Sequence, residues 1–186
     1  MMKNLRYIFV FGIIILTFVA SYLYFKNTRF DFELQSEKGL VGLKDFRGEK
    51  LIIYFGYTSC PDVCPSTLAL ISKALEQIPN SKVMVLFISL DPLRDKDIKK
   101  TNEWLRYFYP NAHALIAKDE EEIAKIAKNY GVVYQKVELK GSFMKYSIAH
   151  SSDLFLFDEK GEIFKVLKDL SYENFYKELK SFLAKT

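Results

Sequence analysis

The chain has 186 residues, of which 49% are hydrophobic and 27% charged, an ordinary composition for a globular protein. Its formal net charge is +4, but four basic residues and no acidic ones lie in the first thirty positions, so the other 23 basic residues balance the 23 acidic ones. This balance argues against a basic groove for nucleic acid, and two cysteines are too few for a disulfide scaffold.

An almost wholly apolar segment spans residues 7–25 and contains no charged side chain. Its length is close to the roughly 20 residues that a helix needs to cross a bilayer core. Two basic residues precede it, so we expect residues 1–6 in the cytoplasm and one N-terminal transmembrane helix. This anchor would hold residues 26–186 on the extracytoplasmic (periplasmic) side. A cleaved signal peptide is the competing interpretation, with a weak cleavage site at Val19-Ala20-Ser21, and it delivers the domain to the same side.

Short apolar runs and amphipathic stretches alternate along the rest of the chain. Apolar, β-rich runs predict strands at 30–34, 51–55, 83–90, 114–116, 154–157 and 163–167. Apolar residues at helical spacing predict helices at 65–77, 97–107, 120–130 and 172–184, with Pro65 at the first position of its helix. This alternation implies an α/β sandwich with a central mixed sheet. The order β-α-β-α-β-β-α, ending in a hairpin and a helix, resembles thioredoxin with insertions.

Two loops of this fold hold the residues that could carry chemistry. Cys60 and Cys64 lie in the loop after the first core strand, and His150 lies in the loop that enters the closing hairpin. In a thioredoxin-like arrangement these loops lie side by side. By analogy with that fold, we expect the three side chains to converge.

The two cysteines are separated by three residues, whereas thiol-disulfide oxidoreductases usually have two between them. Both sulfurs are expected near a helix N-terminus, whose partial positive charge favours thiolate over thiol. Two thiolates make a soft site suited to Cu(I) or Zn(II), and the same pair can close a disulfide. The spacing alone leaves metal binding, redox exchange and a structural disulfide open.

The chain has two histidines. A single histidine in a loop is usually packed or solvated, and His113 has no context that suggests more than a structural role. His150 gains interest from its expected position beside the cysteines, because two thiolates and one neutral imidazole make a three-coordinate copper site. Asp62, between the cysteines, and Asp91, at a strand end, could tune the thiols or meet a partner, but the sequence equally allows a simple loop acid and a strand-ending acid.

Three stretches resemble the Sco/SenC family: GYTSCPDVCPSTL at 56–68, SLDPLRD at 89–95 and YSIAHSSDLFLFDEKG at 146–161. The resemblance covers about residues 30–186 and implies a thioredoxin-like domain behind a single N-terminal anchor. It also implies a copper ion held by Cys60, Cys64 and His150, and a role in assembling the binuclear copper centre of cytochrome c oxidase. Family members often have Asp before the histidine, whereas this chain has Ala149.

The resemblance predicts a copper metallochaperone, a binding and transfer protein rather than an enzyme. Its expected partners are the copper-bearing subunit of cytochrome c oxidase and a periplasmic copper donor or thiol reductant. The alternative is an enzyme, a thiol-disulfide reductase that keeps the oxidase cysteines reduced, with Cys60 and Cys64 as its redox pair. A peroxidase related to the peroxiredoxins is a third interpretation, because Thr58 lies two residues before Cys60, but the sequence alone places no activating arginine.

Overall fold

The computed structural model describes residues 7, 10–19, 21, 29–78 and 81–185. Residues 10–19 are helical, whereas residues 1–6 and part of the predicted anchor 7–25 lie outside the described residues. No helix in the described ranges is long and apolar enough to cross a bilayer. The anchor and the domain limits therefore remain predictions.

The described part of the domain alternates strands and helices. The strands are β1 (Leu34–Ser36), β2 (Gly39–Val41), β3 (Lys50–Gly56), β4 (Val83–Ser89), β5 (Ala112–Leu115), β6 (Tyr134–Glu138), β7 (Tyr146–His150), β8 (Leu154–Phe157) and β9 (Ile163–Leu167). The helices of the domain are α1 (Val63–Glu76), α2 (Ile98–Phe108), α3 (Glu120–Tyr130) and α4 (Tyr172–Ala184), and a short 3-10 helix spans Leu43–Phe46.

Five strands form the central sheet in the order β5-β4-β3-β8-β9. The sheet is mixed, because β3, β4 and β5 run parallel whereas β8 runs antiparallel to both β3 and β9. Every residue of β3 is buried, as expected for a central strand that is covered on both faces. The predicted α/β sandwich with a central mixed sheet is confirmed.

Helices cover both faces of this sheet. On one face, the ring centroids of Tyr54 in β3 and Phe87 in β4 are 6.0 Å apart, and Trp104 of α2 packs on Phe87. Helix α1 lies beside α2 and α4. On the other face, the Tyr130 ring of α3 packs 5.1 Å from that of Phe55. Successive residues of β3 therefore point alternately to the two helical layers, so Tyr54 faces the layer that contains α1.

Two predicted elements near the start of the domain are wrong in their bounds. The strand predicted at 30–34 begins only at Leu34, and β1 pairs with β2 in a separate two-stranded sheet. Before it, the Asp31 carboxylate accepts backbone hydrogen bonds instead of a ladder continuing through this stretch. Helix α1 begins at Val63, so Pro65 takes its third position rather than its first. Proline is tolerated there because the first four N–H groups of a helix have no intrahelical acceptor.

The strands β6 and β7 were not predicted. They form a two-stranded hairpin apart from the central sheet, and most of their side chains are exposed or half-buried. His150 was predicted to lie in a loop, but it is the last residue of β7 and pairs with Tyr134. A regular strand therefore carries the histidine towards the sheet.

Candidate metal centre

The two cysteines lie where β3 passes into α1. The chain turns after Gly56, and the Cys60 N–H donates to the Tyr57 carbonyl over 3.2 Å. Cys64 is the second residue of α1, and its N–H, one of the groups without an intrahelical acceptor, donates to Cys60 Sγ over 3.4 Å. The Cys60 side chain is half-buried, that of Cys64 is fully buried, and both thiols are free. The helix N-terminus thus stabilises negative charge on the more accessible sulfur.

A buried aspartate supports this loop from the segment that follows β4. Asp95 is 2% exposed, and its carboxylate accepts hydrogen bonds from the Thr58 N–H over 3.2 Å and from Ser89 Oγ over 2.6 Å. The Thr58 hydroxyl also donates to this carboxylate. Burial raises the pKa of Asp95, although the Ser89 and Thr58 bonds oppose the shift. Asp95 therefore ties the start of the cysteine loop to the end of β4.

His150 faces the cysteines from β7. Its Nε2 lies 3.5 Å from Cys64 Sγ, and its Nδ1 lies 2.9 Å from the Ser151 carbonyl oxygen. A carbonyl can only accept, so Nδ1 carries the proton and donates, which leaves the lone pair of neutral Nε2 directed at the sulfur. A hydrogen bond of this kind fixes the tautomer and orientation of metal-binding histidines.

Two tyrosine rings flank the histidine. The ring centroids of Tyr54 and Tyr57 are 6.3 Å and 6.1 Å from that of His150. The Tyr57 hydroxyl accepts a hydrogen bond from the Ile148 N–H over 3.2 Å, which joins the cysteine loop to β7. The Tyr54 hydroxyl is buried and makes no hydrogen bond of ordinary geometry with any described residue.

The two thiols differ in acidity. Burial raises the pKa of Cys60, but hydrogen bonds from backbone N–H groups, chiefly those of Cys64 and Asp62, outweigh it and lower the pKa below the ordinary value. Burial raises the pKa of Cys64 to about 12. Burial also lowers the pKa of His150, against the opposing effect of the Ser151 carbonyl. At neutral pH the site therefore presents a neutral imidazole, one readily ionised thiol and one thiol that needs a cation to ionise.

A polar latch holds the hairpin beside the cysteine loop. Tyr146 Oη donates to Asp91 Oδ1 over 3.0 Å. The Arg94 guanidinium donates to the carbonyls of Tyr146 and Met144, and its central carbon lies 3.6 Å from the Tyr146 ring centroid. Arg94 Nε also lies 3.6 Å from the Asp91 carboxylate. The second motif of the sequence, SLDPLRD, thus supplies Asp91 and Arg94, which hold the strand that carries His150.

The donor set fits a soft metal ion. Bond lengths of about 2.3 Å to sulfur and about 2.0 Å to nitrogen separate two ligands of a tetrahedral ion by about 3.5 Å. The distance between Cys64 Sγ and His150 Nε2 is 3.5 Å. Across the described residues, however, no three His, Cys, Asp or Glu side chains are already gathered at metal-binding separation. Cys64 and His150 thus lie at the separation of two ligands of one ion, and Cys60 would complete the predicted set by turning its sulfur from the Cys64 N–H.

The remaining residues that the sequence singled out make other contacts. His113 lies in β5, where its Nε2 contacts Asn111 Oδ1 at 3.1 Å. Asp62 accepts a hydrogen bond from Ser66 Oγ over 3.4 Å, and Ala149 is exposed on β7. Asp91 is more than a strand-ending acid, because it holds the latch. Three further residues of the site, Tyr54, Tyr57 and Asp95, were not predicted, although all three lie in or beside the quoted motifs.

Comparisons with known proteins identify relatives from one family. A family model described as SCO1/SenC matches residues 22–184. An SCO2-like protein of Rickettsia conorii is 34% identical over 156 residues, which make up 82% of this chain and 74% of that relative. The mitochondrial SCO1 homolog 1 of Arabidopsis thaliana is 35% identical over 116 residues, 61% of this chain and 34% of the relative.

Solved structures agree with these matches. A copper-bound structure of ScoI from Arabidopsis thaliana has a TM-score of 0.70 at 30% identity and covers 81% of this chain and 97% of that one. Copper-bound ScoI from Bradyrhizobium japonicum has a TM-score of 0.68 at 35% identity and covers 82% and 98%. Both proteins share the fold described above over most of the domain.

Proposed function

The chain belongs to the SCO1/SenC family, and we propose that it is a copper metallochaperone whose ligands are Cys60, Cys64 and His150. One observation carries the proposal: Nε2 of a histidine with a fixed tautomer lies 3.5 Å from the sulfur of a buried cysteine. The copper in the related ScoI structures supports the choice of metal. The family resemblance supports assembly of the binuclear copper centre of cytochrome c oxidase as its purpose.

The two thiols suit uptake and transfer of a cation by ligand exchange. The half-buried Cys60 ionises more easily and meets copper first, whereas Cys64 loses its proton only as the ion arrives. His150 then closes the site from β7. In transfer, an incoming thiolate of the oxidase subunit would replace the accessible Cys60 before the buried Cys64. Copper is the cargo here, so the protein needs affinity and a route for exchange rather than a catalytic step.

The test is an anaerobic titration of the reduced full chain in detergent with Cu(I) and, separately, Cu(II). Wild type is expected to bind one equivalent, and Cys60→Ala and Cys64→Ala to lose tight binding. His150→Ala is expected to weaken binding by at least about tenfold, because even the partners of metal ligands are worth 10–100-fold. His113→Ala is the control and should bind like wild type. Full affinity and an unchanged spectrum in His150→Ala would reject the three-ligand site.

A second candidate function rests on the same asymmetry of the thiols. A lowered pKa on accessible Cys60, with Cys64 buried behind it, is the arrangement of an attacking and a resolving thiol. The Cys60 thiolate would attack a disulfide of the oxidase subunit and release one of its thiolates. Cys64 would then displace the second, which leaves a Cys60–Cys64 disulfide and two reduced cysteines in the partner. A periplasmic thiol reductant would restore the pair.

The histidine separates the two candidates. Copper transfer needs His150 as a ligand, whereas disulfide reduction needs only the cysteine pair. His150→Ala should therefore abolish delivery of copper but leave reduction of a model disulfide within a few-fold of wild type. The peroxidase interpretation has less support, because the Thr58 hydroxyl donates to Asp95 and Arg94 is engaged by the β7 latch.

We also propose that residues 7–25 anchor the domain on the periplasmic side. The support is the apolar length of the segment and the two basic residues that precede it. Alkaline carbonate extraction of membranes is the direct measurement, and protease protection gives the side. Release of the chain by carbonate, or a mature N-terminus after residue 20, would replace the anchor with a cleaved leader.

A further inference from the structure

Tyr54 carries a buried hydroxyl that nothing in the fold explains. It lies in the middle of β3 with a side chain that is 0% exposed. Its hydroxyl makes no hydrogen bond of ordinary geometry with any described residue. Buried hydroxyl groups are normally paired because an unpaired one loses its hydration without compensation, so each exception in a native structure calls for a physical reason.

The surroundings of this hydroxyl belong to the metal centre. Tyr54 and Gly56 lie on the same face of β3, and a Cβ added at Gly56 would lie 3.1 Å from Cys64 Sγ. The side chains of Cys64 and Thr67, both from the first turns of α1, lie close enough to the hydroxyl to affect the pKa of Tyr54. The Tyr54 ring also lies 6.3 Å from that of His150. The unpaired group therefore sits behind two of the three proposed ligands.

The charge on the sulfur decides whether this hydroxyl has a partner. A neutral thiol is a weak acceptor, so a phenol gains little by turning its proton towards it. A thiolate is charged, and hydrogen bonds to charged acceptors are roughly twice as strong as those between neutral groups. Binding of a metal ion removes the proton from Cys64. The partner that Tyr54 lacks in the metal-free protein is thus created by metal binding.

We propose that Tyr54 is a positioning residue of the copper site, whose hydroxyl donates a hydrogen bond to Cys64 Sγ when this sulfur is a metal-bound thiolate. The inference deepens the proposed function and rests on it. The bond would draw electron density from the sulfur, as hydrogen bonds around a copper-bound cysteine do. It would also favour the copper-loaded state over the metal-free state, in which the same hydroxyl is unpaired.

The neighbouring tyrosines give a contrast and a control. Tyr57 also lies against His150, but its hydroxyl already accepts a hydrogen bond from the Ile148 N–H. Tyr130 is as deeply placed in the opposite layer, where its hydroxyl donates to the Phe30 carbonyl over 2.6 Å. Removing the Tyr130 hydroxyl breaks an existing hydrogen bond in the opposite layer, whereas removing that of Tyr54 breaks no hydrogen bond of ordinary geometry with a described residue.

The experiment compares the full-length wild type, Tyr54→Phe and Tyr130→Phe. We expect Tyr54→Phe to lower copper affinity by about tenfold in competition with a chelator, the lower end for partners of metal ligands. Its thiolate-to-Cu(II) charge-transfer band should move to lower energy, and the melting temperature of the metal-free protein should not fall. Tyr130→Phe should lower that melting temperature and leave both copper affinity and the band unchanged.

Three results would overturn the inference. An unchanged band and affinity in Tyr54→Phe would mean that the hydroxyl does not reach the thiolate. A melting temperature that falls as far as in Tyr130→Phe, with no shift of the band, would assign Tyr54 a packing role only. Absence of copper binding in the wild type would reject the proposed function itself and this inference with it, so the two failures are distinguishable.

Discussion

The three proposed ligands come from two regions that are built differently. The cysteine loop continues from β3, whose residues are all buried, and Cys64 itself is fully buried against the sheet. The β6–β7 hairpin that carries His150 is mostly exposed, and Ile148 is its one buried residue among those described. Apolar burial holds the first region, whereas polar contacts hold the second.

This difference separates stability from metal binding. A two-stranded hairpin alone is marginally stable in water, so the position of His150 depends on the contacts between the hairpin and the rest of the domain. Those attachments are the latch of Asp91, Arg94 and Tyr146 and the bond from Ile148 to Tyr57. A substitution in the core should therefore change folding more than copper binding, whereas one in the latch should change both.

The same substitution in each region gives the largest expected contrast. Phe155 is 1% exposed and packs on Phe55 and Tyr130, so Phe155→Ala should lower the free energy of unfolding by about 3–5 kcal/mol. Phe143 is fully exposed near the tip of the hairpin, and Phe143→Ala should change it by no more than about 0.5 kcal/mol. Urea unfolding measures both.

Copper titration of the same two variants tests the separation. Where Phe155→Ala is still folded, it should bind one equivalent of copper with an affinity close to that of wild type. If its affinity falls in proportion to its stability, the site is not independent of the core packing, and the distinction between the two regions fails.

Gly56 lies next to both a core side chain, Phe87, and a proposed ligand, Cys64. A Cβ there would lie 2.8 Å from Phe87 Cε2 and 3.1 Å from Cys64 Sγ, so the ring must shift and the sulfur must give by a smaller amount unless the backbone moves. We expect Gly56→Ala to cost about 1–3 kcal/mol, the usual range for overpacking, and also to alter the spectrum of bound copper. Gly12→Ala is the control, because among the described residues no atom outside its chain neighbours and its own helix backbone lies within 4 Å of the added methyl group. A destabilised variant with an unchanged copper spectrum would show that Phe87 alone gives way.

Sequence patterns predicted the apolar region better than the polar one. Helices α3 and α4 have the predicted bounds, because their buried faces repeat at helical spacing and Gly131 ends α3 in the left-handed conformation, with φ 74°. The hairpin was missed because strands exposed on both faces show no alternation of apolar and polar residues. The missed hairpin is the element that brings the histidine to the cysteines.

The residues of the candidate site were also predicted only in part. Spacing and family resemblance identified Cys60, Cys64 and His150, but no pattern along the chain indicated that the Asp95 carboxylate would hold Thr58. Nor could it indicate that Tyr54 would lack a hydrogen-bond partner. Such roles depend on which side chains meet across β3, β4 and α1, so they emerge only from the packed structure.

The latch should affect both copper binding and folding. Tyr146→Phe removes the 3.0 Å bond to Asp91 but keeps the ring under the Arg94 guanidinium. We expect a loss of about 1.5 kcal/mol in the free energy of unfolding, typical of a hydrogen bond to a charged group. Copper should dissociate several-fold faster, because His150 is less firmly held. Tyr107→Phe, at an exposed position on α2, should change neither quantity, and equal dissociation rates in the two variants would remove the latch from the site.

The smallest expected effect is a pH dependence shared between one histidine in each region. Burial lowers the pKa of His113 in the sheet and of His150 on the hairpin below the ordinary 6.5. The unfolded chain then binds more protons than the folded one below about pH 6.5, so the free energy of unfolding falls as the pH falls through the folded-state pKa values. His113→Gln and His150→Gln should each flatten this fall in the metal-free protein, as measured by urea unfolding between pH 7.5 and 5.

Acid release of copper should distinguish the two histidines, because protons compete with the metal only at His150 and the cysteines. His113→Gln should therefore leave the acid release of copper unchanged, whereas the residual binding of His150→Gln should respond to pH through the thiols alone. Identical acid release in all three proteins would remove His150 from the coordination sphere and leave the hairpin without a role in holding the metal.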